Sequence, residues 1–233
     1  YYGRHGNAFL FGSELKALAT HPAWSPKIDR EAVAALLARG YIPTPLSIYQ
    51  DIVKLRPGHY VTLQHGTEPS ERCYWDLAQV GSDGLVARDQ ISEADALSEL
   101  EGKLQDAVAR RMIADVPLGA FLSGGIDSSL VVALMQEQST RPVKTFSIGF
   151  DESAYDEAQF AKQVASHLGT DHTELYVTPE QALDVVPKLP TMYDEPFADS
   201  SQIPTHLVSA LARDHVTVAL SGDGGDELFA GYD

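Results

Sequence analysis

From Ser92 onward, apolar residues recur at helical spacing and then give way to alternating strand and helix signals. Leu97, Leu100, Leu104, Ala107, Val108 and Met112 fall three and four apart, which predicts a helix of about 20 residues. Ser92 and Asp95 begin it like a capping box with Asp in place of Glu. Strands are expected over 116–122, 143–150, 173–177 and 216–220, and helices over 127–138, 156–168, 179–188 and 204–213. In the second of these helices Phe160, Ala161, Val164, Ala165 and Leu168 share a face, and Gly169 is its C-cap. Strands separated by helices of this length predict an α/β fold, a parallel sheet with flanking helices joined by right-handed crossovers. The near-continuous apolar run Val216-Thr217-Val218-Ala219-Leu220 suits a sheet covered on both faces.

Residues 1–65 have another texture. Phe9-Leu10-Phe11 opens a strand-like run, and Asp29 reads as the N-cap of a short helix with Ala32, Val33, Leu36 and Leu37 inward, stopped by Gly40 and Pro43. The run 48–55, the turn Pro57-Gly58 and the alternating His59-Tyr60-Val61-Thr62-Leu63 complete what reads as the tail of a β-rich domain. Residues 66–91 hold Gly, Ser, Pro and Asp with little periodicity and are expected to be a linker.

The chemistry concentrates at the ends of the expected strands. In Phe121-Leu122-Ser123-Gly124-Gly125-Ile126-Asp127-Ser128-Ser129 the two glycines let the backbone turn sharply and approach an anion closely. Their N–H groups, with the N-terminus of the next helix, form an anion nest at the crevice where open parallel sheets bind ligands. Ser123, Ser128 and Ser129 add hydroxyl donors, and Asp127 beside phosphate makes sense as an Mg²⁺ ligand. There is no GxxxxGK[ST] and no GxGxxG. The absence of a loop Lys suggests that pyrophosphate leaves as a unit. The plainer reading is a glycine turn and a helix cap, and three residues alone would not exclude it; the whole string in its strand–helix setting speaks against it.

The second constellation, Ser221-Gly222-Asp223-Gly224-Gly225-Asp226-Glu227-Leu228-Phe229-Ala230-Gly231-Tyr232, also comes directly after an expected strand and opens at the same sheet edge. Three carboxylates within five residues repel one another unless a cation or ammonium group is present. Asp226 is expected to complete an Mg²⁺ site with Asp127, while Asp223 and Glu227, the candidate catalytic residues, orient nucleotide, substrate amine or ammonia. A solvated or capping loop is the alternative. Between the loops, Tyr193-Asp194-Glu195-Pro196-Phe197-Ala198-Asp199-Ser200-Ser201-Gln202 suits either an acceptor pocket, with Asp194, Glu195, Asp199 and Ser200 as its binding groups, or a solvated loop. Ser147-Ile148-Gly149-Phe150-Asp151 ends a strand at the same edge, and Ile148 with Phe121 and Leu122 supplies apolar walls for an adenine ring.

Composition narrows the class. Among 233 residues, 44% are hydrophobic and 21% charged, enough for a core. The balance of 17 basic and 33 acidic residues, net −16, disfavours nucleic acid. No run approaches the about 18 apolar residues of a membrane span. Cys73, the single cysteine, excludes an internal disulfide and a multi-Cys zinc site and reads as an inert thiol in a reduced, cytoplasmic protein. The eight His residues show no metal spacing and are assigned none. The chain does not begin with Met, and is expected to be a piece of something longer.

With both loops in view, AFLSGGIDSSLVVAL, TFSIGFDESAYDEAQFAKQVASHLGTDH and VALSGDGGDELFAGYD resemble the glutamine-hydrolysing asparagine synthase family. FGSELKALATHP and YIPTPLSIYQDIVKLRPGHYV resemble the closing segments of its glutaminase domain. The resemblance implies a PP-loop ATP pyrophosphatase fold over 92–233, similar to adenine nucleotide alpha hydrolases, preceded over 1–65 by the end of an Ntn-type glutaminase. It also implies that Ser123, Gly124, Gly125, Asp127, Ser128 and Ser129 hold the β- and γ-phosphates, that Phe121, Ile148, Ser221 and Gly222 surround AMP, and that Asp127 and Asp226 bind Mg²⁺. Asp223 stands where many members have Glu in SGEGSDE. SGDGGDE also occurs in relatives that amidate other carboxylates.

The implied reaction is ATP-dependent amidation of a carboxylate, by preference aspartate to asparagine. It would run through an acyl-adenylate with glutamine-derived ammonia, releasing AMP and pyrophosphate. The family's nucleophilic Cys and synthetase Lys are expected outside this chain, which by itself is then expected to be inactive. Small molecules are the expected partners, and a homodimer is compatible with the resemblance. The rivals are a relative acting on another acceptor, including one whose product cyclises, and a non-catalytic nucleotide-binding module.

Overall fold

The computed structural model describes residues 1–22, 24–64, 66–87, 91–150, 157–229 and 231. Asp151, Asp156, Ala230 and Tyr232, named among the sequence signals, lie outside them. The chain divides into two compact units, Tyr1–Ile91 with Pro187–Asp199, and Ser92–Val186 with Ser200–Asp233.

In the first unit β1 (Tyr2–His5) and β2 (Ala8–Phe11) form an antiparallel hairpin, with Gly6 supplying a positive φ of 60° in its two-residue turn. After α1 (Leu15–Leu18) and α2 (Arg30–Arg39), β3 (Ile52–Val53) pairs with the other edge of β1. Asp29 caps α2 by accepting the Glu31 amide at 2.8 Å, and Gly40 ends it at φ 78°. Ala32 is buried, and Val33 and Leu36 pack on the core of Leu15, Leu18, Ile42, Ile48 and Ile52. Leu37 does not: it is 83% exposed, because the side of this short helix that is buried holds 32, 33 and 36.

The segment expected to be a linker is also structured. β4 (His59–Thr62) pairs antiparallel with β5 (Ser70–Cys73), and α3 (Leu77–Ala87) comes next. The sequence concealed β5 because both its faces are largely exposed, so burial imposes no alternation of apolar and polar residues.

The second unit opens with α4 (Glu93–Arg111), where the Ser92 hydroxyl accepts the Asp95 amide at 3.2 Å and donates to the Asp95 carboxylate at 2.6 Å. Then come β6 (Leu118–Phe121), α5 (Ile126–Glu137), β7 (Lys144–Phe150), α6 (Ala158–Leu168), β8 (Asp171–Val177) and α7 (Pro179–Leu183). A 3₁₀ turn at Val186–Lys188 and α8 (Leu189–Met192) carry the chain into the first unit. α9 (Gln202–Arg213), β9 (Val218–Leu220) and α10 (Gly225–Phe229) finish the second.

Its four strands are all parallel, in the order β8-β7-β6-β9. One core gathers Val108 of α4, Val132 and Met135 of α5 and Ala161 and Ala165 of α6 over Ala120 and Leu122. The other sets Phe146 against Ala212 of α9 and Val216. Covered on both faces, β6 is apolar without strict alternation, whereas the edge strand β8 keeps Asp171, His172, Thr173 and Glu174. No helix among the described residues is long and apolar enough to cross a membrane.

Candidate functional site

The chain steps from β6 outward to β7 and β8, then returns to place β9 on the other side of β6. That reversal makes the crevice beyond β6 and β9 a topological switch point, where open parallel sheets take their ligands. The register sets the depth. Ala120 lies opposite Leu220, so the segments beyond the two strands leave the sheet side by side.

In the first loop Gly124 has φ 85°, and a Cβ there would fall 2.7 Å from the Ala161 amide nitrogen and from Phe160 Cβ. Only glycine fits, for the left-handed backbone and for the close approach to α6. The serines close the loop on itself. Ser123 donates its amide to the Ser128 hydroxyl at 3.2 Å, the two hydroxyls lie 2.9 Å apart, and the Gly125 amide donates to Ser123 Oγ at 3.2 Å. Ser128 is buried and also donates to the Gly125 carbonyl at 3.3 Å. Gly125, the N-cap of α5, offers no side chain to the helix amides, so the positive end of α5 is left for a ligand. Ser129 Oγ is buried without a hydrogen-bond partner among the described residues, a donor the fold itself does not use.

The second loop meets the first through its glycines. A Cβ on Gly222 would lie 2.7 Å from the Ser128 nitrogen and 3.1 Å from Asp127 Cβ, and one on Gly225 would collide with both Cγ and Oδ2 of Asp127. The Asp127 carboxyl therefore rests against the residue that precedes Asp226. Gly225 donates to the Gly222 carbonyl at 3.1 Å, and Gly224 takes φ 92°. Ser221 Oγ donates to Asp223 at 2.9 Å, so one oxygen of that carboxylate is engaged within the loop. Asp226, in the first turn of α10, lies over Gly231, where a Cβ would strike its Oδ1.

No group of three or more His, Cys, Asp or Glu among the described residues is arranged to hold a metal. The residues nevertheless fit Mg²⁺, which takes one or two carboxylates and fills the remainder of its octahedron with phosphate oxygens and water. Asp127 accepts no hydrogen bond and joins no ion pair among the described residues, and both carboxylates offer the hard oxygens required.

Of the other expected nucleotide residues, Leu122 is core: its side chain is 1% exposed and its amide donates to the Phe146 carbonyl at 2.9 Å. Phe121 packs on the Phe146 cluster. Ile148 lies two residues beyond Phe146, the β7 partner of Phe121, at the same end of the sheet.

The four acceptor candidates divide between the units. Ser200 belongs to the second, whereas Asp194, Glu195 and Asp199 belong to the first. Asp194 accepts the Leu15 and Lys16 amides at 2.5 and 3.2 Å, and Glu195 accepts the Ile48 amide at 2.7 Å and pairs with Lys54 Nζ at 2.5 Å. To bind an acceptor, these two would have to exchange bonds already made.

Cys73 is exposed, and its Sγ donates to the Trp75 carbonyl at 3.3 Å. A polar ladder between β7 and β8 was not legible in the sequence. His172 Nδ1 lies 2.9 Å from Thr145 Oγ1, and its Nε2 lies 3.3 Å from Ser147 Oγ. Burial holds the imidazole below its ordinary pKa, against the opposing pull of Glu174. The only sequence signal was parallel pairing, which does not say which residues fall opposite.

Two family models match successive parts of the chain, and 187–199 of the first compact unit falls within the second match along the chain. The family model described as asparagine synthase matches residues 99–233, and the glutamine amidotransferase domain model matches residues 1–75. Over its whole length the chain is 42% identical to a protein named putative asparagine synthetase [glutamine-hydrolyzing] 2 of Methanocaldococcus jannaschii, and 34% identical to one named asparagine synthetase [glutamine-hydrolyzing] 1 of Bacillus subtilis. It is 31% identical to a Gibberella zeae protein named amidase chry2, again over its whole length. The chain spans 44%, 35% and 36% of these relatives, less than half of each. Two glycine loops meeting at the switch point of a parallel sheet, within the region the family model matches, lead to one conclusion: the chain belongs to the asparagine synthase family.

Proposed function

We propose that this chain is part of a ligase that uses ATP to amidate a carboxylate, with aspartate as the preferred acceptor and glutamine as ammonia donor. The observation that carries the reading is the contact of Gly222 and Gly225 with Asp127 and Ser128, which makes one cradle of two loops far apart in the chain. In this mechanism the acceptor carboxylate attacks the α-phosphorus of ATP and pyrophosphate leaves, giving an acyl-adenylate. Ammonia then displaces AMP to form the amide.

The chain's own contribution is electrostatic and geometric. In this reading the uncapped start of α5 and the amide of Gly124 face charge on the departing pyrophosphate, and the unpartnered Ser129 hydroxyl is a further donor for it. Ser123 and Ser128 hold the loop in the shape that presents those donors. Phe121, Ile148, Ser221 and Gly222 surround the nucleoside. Asp127 and Asp226 would hold Mg²⁺, which supplies Lewis-acid stabilisation of the phosphate charge when bound. Asp223 and Glu227 orient the acceptor amine or ammonia, with Ser200 on the same unit. Asp194 and Glu195 are left out of the acceptor set because their oxygens are committed elsewhere. The setting proposed is the cytoplasm, in keeping with a lone, unpaired cysteine.

Pyrophosphate release by the full-length protein, measured across a panel of carboxylic acids with ATP, Mg²⁺ and glutamine, tests the reading. Release should depend on aspartate; dependence on another acid would transfer the assignment to that acceptor. The second reading is favoured by Asp223, one methylene shorter than the Glu of SGEGSDE and already engaged by Ser221.

A further inference from the structure

The chain leaves the second unit after Val186, and Pro187–Asp199 is built into the first before Ser200 resumes the second. Within the first unit this return is stitched down along its length. Lys16 Nζ donates to the Met192 carbonyl at 2.9 Å, and Ala198 donates its amide to the Gly40 carbonyl at 2.7 Å. Between them sit Asp194 and Glu195, whose side chains are each 9% exposed. Asp194 takes the amides at the start of α1. Glu195 takes the Ile48 amide and Lys54, which in turn donates to the Ile42 carbonyl at 2.6 Å. Glu195 also helps to hold the Tyr1 hydroxyl above its ordinary pKa, behind the larger effect of burial.

So dense a set of charge-assisted bonds, part-buried at Leu15, Ile48 and Lys54, exceeds what an exposed connection needs. Among the described residues, neither carboxylate caps an element of the second unit. The stitched segment is the stretch of chain that leads on through α9 to β9 and the acidic loop, while the residues it grips lie in the region matching the glutamine amidotransferase model.

We infer that Asp194, Glu195 and Lys54 are positioning residues that couple glutamine hydrolysis to amide formation, by fixing the β8-to-α9 connection within the amidotransferase-type unit. The inference rests on the proposed function. Loosening the stitch should leave the chemistry of each half intact and break the proportion between them.

The test uses Lys54→Met in the full-length enzyme, which strips Glu195 of its cation without touching either carboxylate, and Lys54→Arg as the conservative variant. Three quantities are read: glutamate formed per pyrophosphate released, pyrophosphate release driven by ammonium instead of glutamine, and KM for the acceptor acid. In Lys54→Met the ratio of glutamate to pyrophosphate should rise at least about five-fold. Ammonium-driven release and acceptor KM should stay within about two-fold of wild type. Lys54→Arg should restore most of the coupling. An unchanged ratio overturns the inference, and so does a parallel fall of both activities, which would mark an ordinary structural ion pair. A raised acceptor KM at unchanged ratio overturns it too, and returns Glu195 to the acceptor pocket. A wild-type enzyme that releases no pyrophosphate with any acid overturns the functional reading itself, and shows this before any substitution is made.

Discussion

At the scale of single residues, the site depends on positions where no side chain can be accommodated. Gly124 combines φ 85° with a backbone neighbour 2.7 Å from where a Cβ would lie. Gly124→Ala should therefore destabilise the chain by about 2–4 kcal/mol, from left-handed strain and overpacking against α6. Thermal denaturation checks this, and calorimetry with ATP and Mg²⁺ should show the binding lost with it. His172 makes a different prediction. Its folded pKa lies below the ordinary value because of burial, so between the two values the unfolded chain binds the extra proton. Stability should be fully present above about pH 6.5 and decline as pH falls through that value towards the lowered folded pKa, then level off. Melting temperature against pH for wild type and His172→Gln checks the sign; the decline should flatten in the variant.

At the scale of elements, local signals were dependable wherever one face had to be buried. The caps Ser92, Asp29, Gly40 and Gly169 are all as expected, because each answers a backbone group of its own helix. Inward faces were harder to read. α2 was expected to bury Leu37, and the fold leaves it exposed while Leu36 packs on the core. Leu37→Lys should thus change stability by no more than about 0.5 kcal/mol, and Leu36→Ala should cost about 2 kcal/mol. Chemical denaturation of the two variants separates them, and equal costs would refute the assigned face. β5 and α3 escaped notice because neither buries a face, so no periodicity marks them.

At the scale of the whole molecule, charge and topology act together. A chain with net charge −16 has little general attraction for a triphosphate. Asp127, Asp223, Asp226 and Glu227, clustered in the two loops, add local repulsion. ATP should accordingly bind the chain with Mg²⁺ present and weaken at least about ten-fold in EDTA. Titration calorimetry with and without chelator decides this, with far-UV dichroism expected to be unchanged because no structural metal cluster is present among the described residues.

The amino-acid order by itself determined the α/β alternation, the helix caps and the two glycine loops, since all of these arise from interactions between neighbours in the chain. Only the tertiary structure decided that the loops meet. That contact comes from β9 pairing with β6 in a register that sets Ala120 against Leu220, a partnership between segments about a hundred residues apart that no local pattern encodes. It also decided the place of Asp194 and Glu195. In the sequence they are two acidic residues in a polar stretch, as suited to a ligand as to solvent. Their oxygens are instead committed by the amides of Leu15, Lys16 and Ile48, groups that lack a partner until the chain returns to them.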